Sequence, residues 1–330
     1  MKTINKIATC FAPLVLSLAL SSSLLAQPPV DADWKGNATI DEMQTASDPQ
    51  LGAAQGVSFR QNHLYFYGDV YLAKPRVGII REYTLDLKPT GRDVWLARNG
   101  KPVLVHPTGL AWDPESGCFL GDTVNKVATI YKLDWDRAFK DGNLNSAVLA
   151  TIRDDAAVNG CRPEYVTLKG HLLLATADYG DVHPAVRLYD PKLLVEARRS
   201  SAPGVCVATI PCGPFNQNLF WDGARGELTC VQNVVAGLGW QLDVFNLEKA
   251  VIARKLEDAR IRKIVYRPHS EMEGWLRRPD GREVYVTSSS TNNIYTGKTR
   301  LVDSFATPRG AWGFTLEEDA EFARKFREKK

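Results

Sequence analysis

Short apolar runs separated by polar turns recur along most of the chain, and they form a repeat. The stretch HPTGLAWDPESGCFLGDTVNKVATIYKLDWD, which begins at His106, contains two apolar runs, a turn rich in proline, aspartate and glycine, and a third run that closes on aspartate. Four other segments, which begin AAQGVSF, CRPEYVT, FNQNLFW and EMEGWLR, align with it. The aligned positions are Gln55, Thr108, Pro163, Gln217 and Glu273, at successive spacings of 53, 55, 54 and 56 residues. Such a regular period indicates a repeat architecture.

Each of the first four copies predicts four strands. A second run, such as HLYFYGDV or GCFLGDTV, is followed by a third, such as GIIREYTLDLKP, and by a fourth, which is DVWLARNG, AVLATIRDD, GVCVATIPC or VIARKLED. Short helix-like inserts such as DPKLLVEARRS follow the third run in three copies. Four short strands per unit are typical of a β-propeller blade.

The fifth copy lacks a clear fourth strand, and the segment NATIDEMQTASDPQ before the first copy supplies one. An N-terminal strand that completes the last blade would close the ring and remove exposed sheet edges. The sequence therefore predicts an all-β, five-bladed propeller. Six blades remain the alternative if the tail contributes another.

The two ends of the chain predict separate elements. Residues 1–26 combine Lys2 and Lys6 with an apolar stretch that ends in small residues, which is typical of a secretory signal peptide. Residues 27–314 are then a single propeller domain. Thr315 and Glu318 form a capping box that predicts a C-terminal helix over residues 315–330. No later segment approaches the roughly 20 apolar residues of a spanning helix, so an exported protein, periplasmic or secreted, is expected.

Composition and cysteine content exclude several classes of function. Without Lys2 and Lys6 the 41 basic residues fall to 39 against 38 acidic ones, which leaves no electrostatic footprint for nucleic acid. No G-x-S-x-G elbow, P-loop, dinucleotide fingerprint or C-x-x-C motif occurs. Five cysteines follow the signal segment, and Cys161 and Cys212, in successive loops that lead into blades three and four, are the expected disulfide pair.

Candidate site residues come from the loops that precede each first strand and follow each second strand, because both open on one face of a propeller. Asp69, Asp122 and Asp178, with Asn233 as a variant, recur at the end of the second strand. Their side chains could hold turns through backbone amides or could bind a cation, and both interpretations stay open.

Residues that break the repeat are stronger candidates for chemistry. In RPHSEMEGW, His269, Glu271 and Glu273 alternate and so project to one side of an extended chain. Glu271, Glu273, Glu164 and His106 are predicted to supply acid and base groups, although solvated loop charges would give the same pattern. The predicted substrate-binding side chains are Arg162, Tyr179, Asn216, Gln217, Gln55 and Thr108, a set that suits a polyhydroxylated or anionic small molecule. An ion pair between Arg162 and Glu164 is the alternative explanation for those two.

The run PTGLAWDPESGCFLGDTVNKVATIYKLD resembles a blade of the gluconolactonase/regucalcin and NHL-type propellers. Those relatives usually have six blades. The resemblance implies a central divalent cation, commonly Ca²⁺. Its ligands would be the glutamate of a Glu-Gly motif, asparagines that precede the blades, and an aspartate that also serves as the catalytic base. Glu273 matches the Glu-Gly element, whereas Thr108 replaces an asparagine. Glu273, Asn218, Asp122 and Asp178 are accordingly the expected ligands.

Three functions follow as hypotheses. The first is hydrolysis of a small ester, lactone or sugar-like substrate at the channel mouth, with a cation to polarise the carbonyl. The second is a glycosidase in which Glu164 and Glu273 are acid and base. The third is a propeller that binds a small ligand or a protein without catalysis.

Overall fold

The structure is a computed structural model that describes residues 34–70, 73–113, 117–124, 127–157, 160–180, 182–233, 240–266, 271–288 and 293–302. Over these residues the chain is all-β apart from short helices, and its strands form five blades of four strands. The predicted five-bladed propeller is confirmed. The predicted signal peptide of residues 1–26 and C-terminal helix of residues 315–330 lie outside the described residues, as does His269.

Blades one to three are separate antiparallel sheets, each ordered as its strands follow in the chain. After β1 (Trp34–Ala46), blade one consists of β2 (Ala53–Arg60), β3 (His63–Val70), β4 (Val77–Tyr83) and β5 (Pro89–Trp95), followed by the two-residue strands β6 (Ala97–Arg98) and β7 (Lys101–Pro102). Blade two consists of β8 (Gly109–Trp112), β9 (Cys118–Val124), β10 (Val127–Leu133), helix α1 (Trp135–Asp141) and β11 (Val148–Arg153). Blade three consists of β12 (Glu164–Leu168), β13 (His171–Ala177), β14 (Ala185–Tyr189), helix α2 (Pro191–Ala197) and β15 (Cys206–Pro211).

Blades four and five share one eight-stranded sheet. Blade four consists of β16 (Asn216–Asp222), β17 (Glu227–Asn233), β18 (Trp240–Asn246), helix α3 (Leu247–Ala253), a 3₁₀ turn (Glu257–Ala259) and β19 (Arg260–Tyr266). Blade five consists of β20 (Met272–Arg277), β21 (Glu283–Thr287), β22 (Ile294–Val302) and β1.

Strand β1 closes the ring as the sequence predicts. It pairs antiparallel with β22 from Asn37↔Val302 to Ala46↔Ile294 and becomes the fourth strand of blade five. Its first residues also pair in parallel with β19, from Trp34↔Arg262 to Asn37↔Val265, a contact that the sequence does not predict. The N-terminal strand thus links the outer edges of two neighbouring blades.

A helix follows the third strand in blades two, three and four, which confirms the three inserts. Each begins after an Asx residue whose side chain accepts a hydrogen bond from the first turn, at Asp134, Asp190 and Asn246. Such caps satisfy backbone N–H groups that the first turn leaves without partners. VIARKLED, expected as the fourth strand of blade four, instead lies in α3 and the 3₁₀ turn, and β19 takes that place. The Asn246 cap and the buried Leu247 and Ala250 at helical spacing are the physical reason.

The first strands lie at the centre of the ring. Strand β2 contacts β8 and β20, and β12 and β16 complete the circle. The blades approach closely there: a Cβ at Gly274 would lie 2.8 Å from the Cα of Gly56. Five hydrophobic clusters lie between successive blades, so each sheet buries both faces against its neighbours. This packing fixes the starts of the five first strands around one channel.

Candidate functional site at the channel mouth

Three first strands carry a β-bulge at the aligned position of the repeat. The pairing register skips Gln55 in β2, Gln217 in β16 and Glu273 in β20, so each residue is an extra one opposite its partner strand. A bulge changes the direction of a side chain and is common beside functional sites. All three residues are buried. Because the three strands lie around the channel, the bulges single out its mouth as the place where the repeat is modified.

Arg162 lies among residues from several blades. It is 6% exposed, and its Nη2 donates to Oε1 of Gln217 at 3.4 Å. Its guanidinium carbon lies 5.0 Å from the centre of the Tyr179 ring, and the charges of Glu273 and Tyr67 act on it. Arg162 belongs to blade three but interacts with residues of blades one, four and five. Its side chain must therefore extend toward the axis of the ring. Burial lowers the pKa of Arg162, yet guanidinium stays charged in proteins.

Glu164 begins β12 and forms no ion pair with any residue that the structure describes. Its carboxyl accepts one hydrogen bond, from the backbone N–H of Tyr165 at 2.9 Å. Burial raises its pKa to about 8, because the surrounding protein disfavours the charged form more than that single bond favours it. Glu164 and Arg162, which are both described by the structure, do not form an ion pair with each other. Glu164 is therefore mainly protonated near neutral pH.

Glu271 and Glu273 form a carboxyl pair. Burial raises the pKa of Glu273 well above its usual value, and the charge of Glu271, together with a hydrogen bond between the two side chains, raises it further. Arg162 acts in the opposite direction. Two carboxyl groups this close cannot both ionise readily. The protonated form of Glu273 is therefore favoured.

Tyr67 crosses the channel from blade one to blade four. It is fully buried, and Nδ2 of Asn218 donates to its hydroxyl at 2.8 Å. Burial raises its pKa, and the charges of Glu164 and Glu273 raise it further. Gly56 is its cross-strand partner, and a Cβ there would overlap the hydroxyl. Sequence reasoning missed Tyr67 because it lies in a regular apolar strand; the glycine opposite it was the available signal.

His106 and Asp69 form a second polar group between blades one and two. Nδ1 of His106 lies 3.0 Å and 3.2 Å from the two carboxylate oxygens of buried Asp69, which also pairs with Arg76. Asp122 lies close enough for its charge to act on this group, and burial raises its pKa to about 6. Because Asp69 also raises the pKa of Glu273, the histidine and the channel carboxyls are electrostatically linked.

The residues that recur at the end of the second strand hold neighbouring blades together. The contacts are Asp69 with His106 Nδ1, the backbone oxygen of Asp122 with Cys161 Sγ at 3.7 Å, the backbone oxygen of Asp178 with Asn216 Nδ2 at 3.1 Å, and Asn233 Oδ1 with the Met272 N–H at 3.0 Å. Each joins one blade to the first-strand region of the next. Asp69 and Asn233 make these contacts through their side chains, whereas Asp122 and Asp178 make them through backbone oxygens.

Several predicted site residues have their polar groups engaged by the scaffold. Thr108 donates to the backbone oxygen of Cys161 at 2.5 Å, and Asn216 donates to the backbone oxygens of Asp178 and Gly213. The structure brings together Arg162, Glu164, Tyr179, Gln217, Asn218 and Glu273, with Tyr67 added. Gln55 is buried in its bulge and donates weakly to its neighbour's carbonyl.

The expected Cys161–Cys212 disulfide does not form. Cys161 is free and buried, and its thiol approaches the backbone oxygens of Thr129 at 3.3 Å and Asp122 at 3.7 Å. The Sγ of Cys212 instead accepts from Asn216. The first thiol packs between blades two and three and the second lies at the start of blade four, so adjacent loops in the repeat do not bring the two sulfurs together.

The predicted cation ligands fit a four-ligand site poorly. Asp178 accepts from Arg187 at 2.7 Å and from the Ala185 N–H at 3.0 Å, and Asp122 accepts from the Thr123 N–H. Within the described ranges no group of three His, Cys, Asp or Glu side chains is arranged to hold a metal ion. The charge of Arg162 acts directly on Glu273, so a positive group already neighbours the principal predicted ligand.

Together these groups define a five-bladed propeller whose channel mouth holds a glutamate with a raised pKa, a hydrogen-bonded carboxyl pair and a buried guanidinium. No family model and no curated protein matches the chain. Among solved structures the chain is similar to hydrazine synthase of Kuenenia stuttgartiensis (TM-score 0.43, 12% identity, 81% of this chain and 66% of that one).

Two further similar structures are a candidate gluconolactonase and the Dos1 propeller. The first gives a TM-score of 0.41 at 13% identity over 79% of this chain and 92% of that one. The second gives 0.39 at 7% identity over 82% and 76%. These likenesses concern the fold and carry no argument about the site. Separately, none of the helices in the described part is long and apolar enough to cross a membrane.

Proposed function

We propose that this protein is an exported hydrolase that cleaves a small ester, lactone or sugar-like substrate at the channel mouth. The observation that carries the proposal is Glu164, a half-buried carboxyl with a pKa of about 8, in the same polar group as the Glu271–Glu273 pair. Hydrolysis by acid–base catalysis commonly uses two carboxyl groups, one protonated and one ionised, whose surroundings give them different pKa values.

Each polar group at the channel mouth has a separate role in the proposed reaction. The ionised member of the Glu271–Glu273 pair removes a proton from water, which attacks the substrate carbonyl. When the carbon–oxygen bond to the leaving group breaks, Glu164 gives its proton to the departing oxygen. Tyr67 and Asn218 orient the substrate from the opposite wall.

A glycosidase is the second candidate, because Glu164 in blade three and the Glu271–Glu273 pair in blade five would supply a protonated acid and a carboxylate from different blades. A neutral acid and a separate carboxylate are what glycoside hydrolysis requires. The family resemblance also implies Ca²⁺, but the acid and base roles of Glu164 and the Glu271–Glu273 pair do not depend on it.

The test is a hydrolysis panel of 4-nitrophenyl acetate, glucono-δ-lactone and 4-nitrophenyl glycosides. For any substrate turned over, we expect kcat/KM to fall as pH rises through about 8, because Glu164 then loses its proton. Glu164→Gln and Glu271→Gln should each lower kcat by roughly 10²- to 10⁴-fold. Glu248→Gln, an exposed surface change, is the control.

Wild-type turnover in both site variants would contradict the proposal. Saturable binding of a panel compound without turnover would support the non-catalytic alternative instead. The same assay after dialysis against EDTA, with Ca²⁺ then added back, tests the cation: a loss that Ca²⁺ restores would place the metal in the reaction.

A further inference from the structure

Arg162 differs from the other deeply buried arginines of the described chain. Arg187, Arg262 and Arg278 are at most 9% exposed, and each pairs with a carboxylate, at 2.7, 2.5 and 2.6 Å respectively. Arg162 is 6% exposed and forms no ion pair with a described carboxylate. Among the described residues its Nε has no hydrogen-bond partner, and the one hydrogen bond of its side chain, to Gln217, is long at 3.4 Å. A buried charge without a partner is costly.

The local backbone makes room for this guanidinium. Gly160 has a φ of +70°, and a Cβ there would lie 2.6 Å from Nη1 of Arg162. The nearby carboxyls do not neutralise it fully, since burial raises the pKa of both Glu164 and Glu273 and so favours their protonated forms. Most of the five N–H donors of the side chain are thus available in a region enclosed by four blades.

We propose that Arg162 is the anchor for a carboxylate carried by the substrate, so that the site takes small carboxylate-bearing molecules rather than neutral ones. The planar guanidinium can bind a carboxylate through two parallel hydrogen bonds, which are stronger and more directional than bonds to a hydroxyl. The guanidinium carbon lies over the Tyr179 ring, 5.0 Å from its centre, so an aromatic face borders the group on one side. The assignment of this anion as substrate rests on the proposed function; its binding does not.

Binding is measured calorimetrically with glutarate and with its neutral diamide, glutaramide. We expect wild type to prefer glutarate by roughly 10- to 100-fold, the range for a charge-assisted pair. In Arg162→Gln this preference should fall to about one, and Arg162→Lys should retain part of it. Arg98→Gln, which removes an exposed arginine, should keep the wild-type ratio. Thermal unfolding confirms that each variant is folded.

Hydrolysis of 4-nitrophenyl hydrogen glutarate and 4-nitrophenyl butyrate separates this inference from the proposed function. Arg162-dependent binding of glutarate with no turnover of either ester would sustain the anion site and overturn the hydrolase. Equal turnover of both esters in wild type and in Arg162→Gln would sustain the hydrolase and overturn the anion site. A glutarate preference that survives in Arg162→Gln would also refute the assignment.

Discussion

At the scale of single residues, Glu164 shows how surroundings decide what a glutamate can do. An ordinary glutamate is ionised at neutral pH, whereas burial with one backbone hydrogen bond moves the pKa of Glu164 from 4.5 to about 8. The same burial that prepares it to donate a proton also links the stability of the fold to pH. Its ionisation is easier in the unfolded chain than in the folded one.

Glu164→Gln should therefore change how stability depends on pH. In wild type the contribution of a group with a raised folded pKa is complete below pH 4.5 and declines as pH rises to about 8. Glutamine mimics the neutral acid at every pH. We expect the melting temperature of the variant, relative to wild type, to rise between pH 5 and pH 8, as measured by thermal unfolding.

Glu248→Gln provides the comparison, because Glu248 is exposed and pairs loosely with Lys169 at 3.7 Å. Its melting temperature relative to wild type should stay constant over that pH range. The same constant difference in Glu164→Gln would mean that Glu164 ionises normally in the folded protein.

A site residue can be predicted from the sequence when it differs from the residues at the same position in the other blades. Arg162, Glu164 and Glu273 were found because each occurs in one blade alone. Thr108 and Asn216 have the same polar character, yet hydrogen bonds to neighbouring blades engage them, and sequence does not show such bonds. Protonation depends on burial in the assembled ring, so the state of Glu164 could not be predicted from residue type.

At the scale of elements, the strand repeat was predictable because it follows apolar runs and turn residues. The bulges were not, since an extra residue in a strand leaves no local pattern until its partner strand is known. Helix α3 shows the limit of short apolar runs: VIARKLED suits either a strand or the end of a helix. The Asn246 cap upstream decides for the helix.

Gly274 tests the close packing of first strands. In Gly274→Ala the new Cβ would lie 2.8 Å from the Gly56 Cα and 3.0 Å from the Val57 nitrogen, both backbone atoms that cannot move aside easily. We expect a destabilisation of about 1–3 kcal/mol in chemical unfolding, the range for overpacking. Turnover should fall as well, because the bulge at Glu273 adjoins this contact.

Gly223→Ala is the matched control. There the nearest atom is Nε1 of the partly exposed Trp221 at 3.1 Å, a side chain that can shift. Its stability should remain within about 0.5 kcal/mol of wild type, as at most surface sites. If both alanine variants were equally stable, the first strands would not be packed as tightly as the structure indicates.

At the scale of the whole molecule, ring closure depends on a strand from the opposite end of the chain. Strand β1 pairs with β22 on one side and with β19 on the other, so its removal would expose two sheet edges. Buried Ala38 on β1 also packs in the cluster between blades four and five. The ring is therefore stabilised by contacts of very high sequence separation, which form only when the last blade is present.

We expect a chain that begins at residue 47 to melt at least about 10 °C below one that begins at residue 27, and to aggregate through its open edges. A synthetic peptide of residues 34–46 should restore much of the lost stability in trans, because it can pair with β19 and β22. A scrambled peptide of the same composition should have no effect, since it lacks the matching alternation of side chains. Equal melting temperatures for the two chains, measured by calorimetry with matched concentrations, would show that the ring holds without β1 and that closure lies elsewhere.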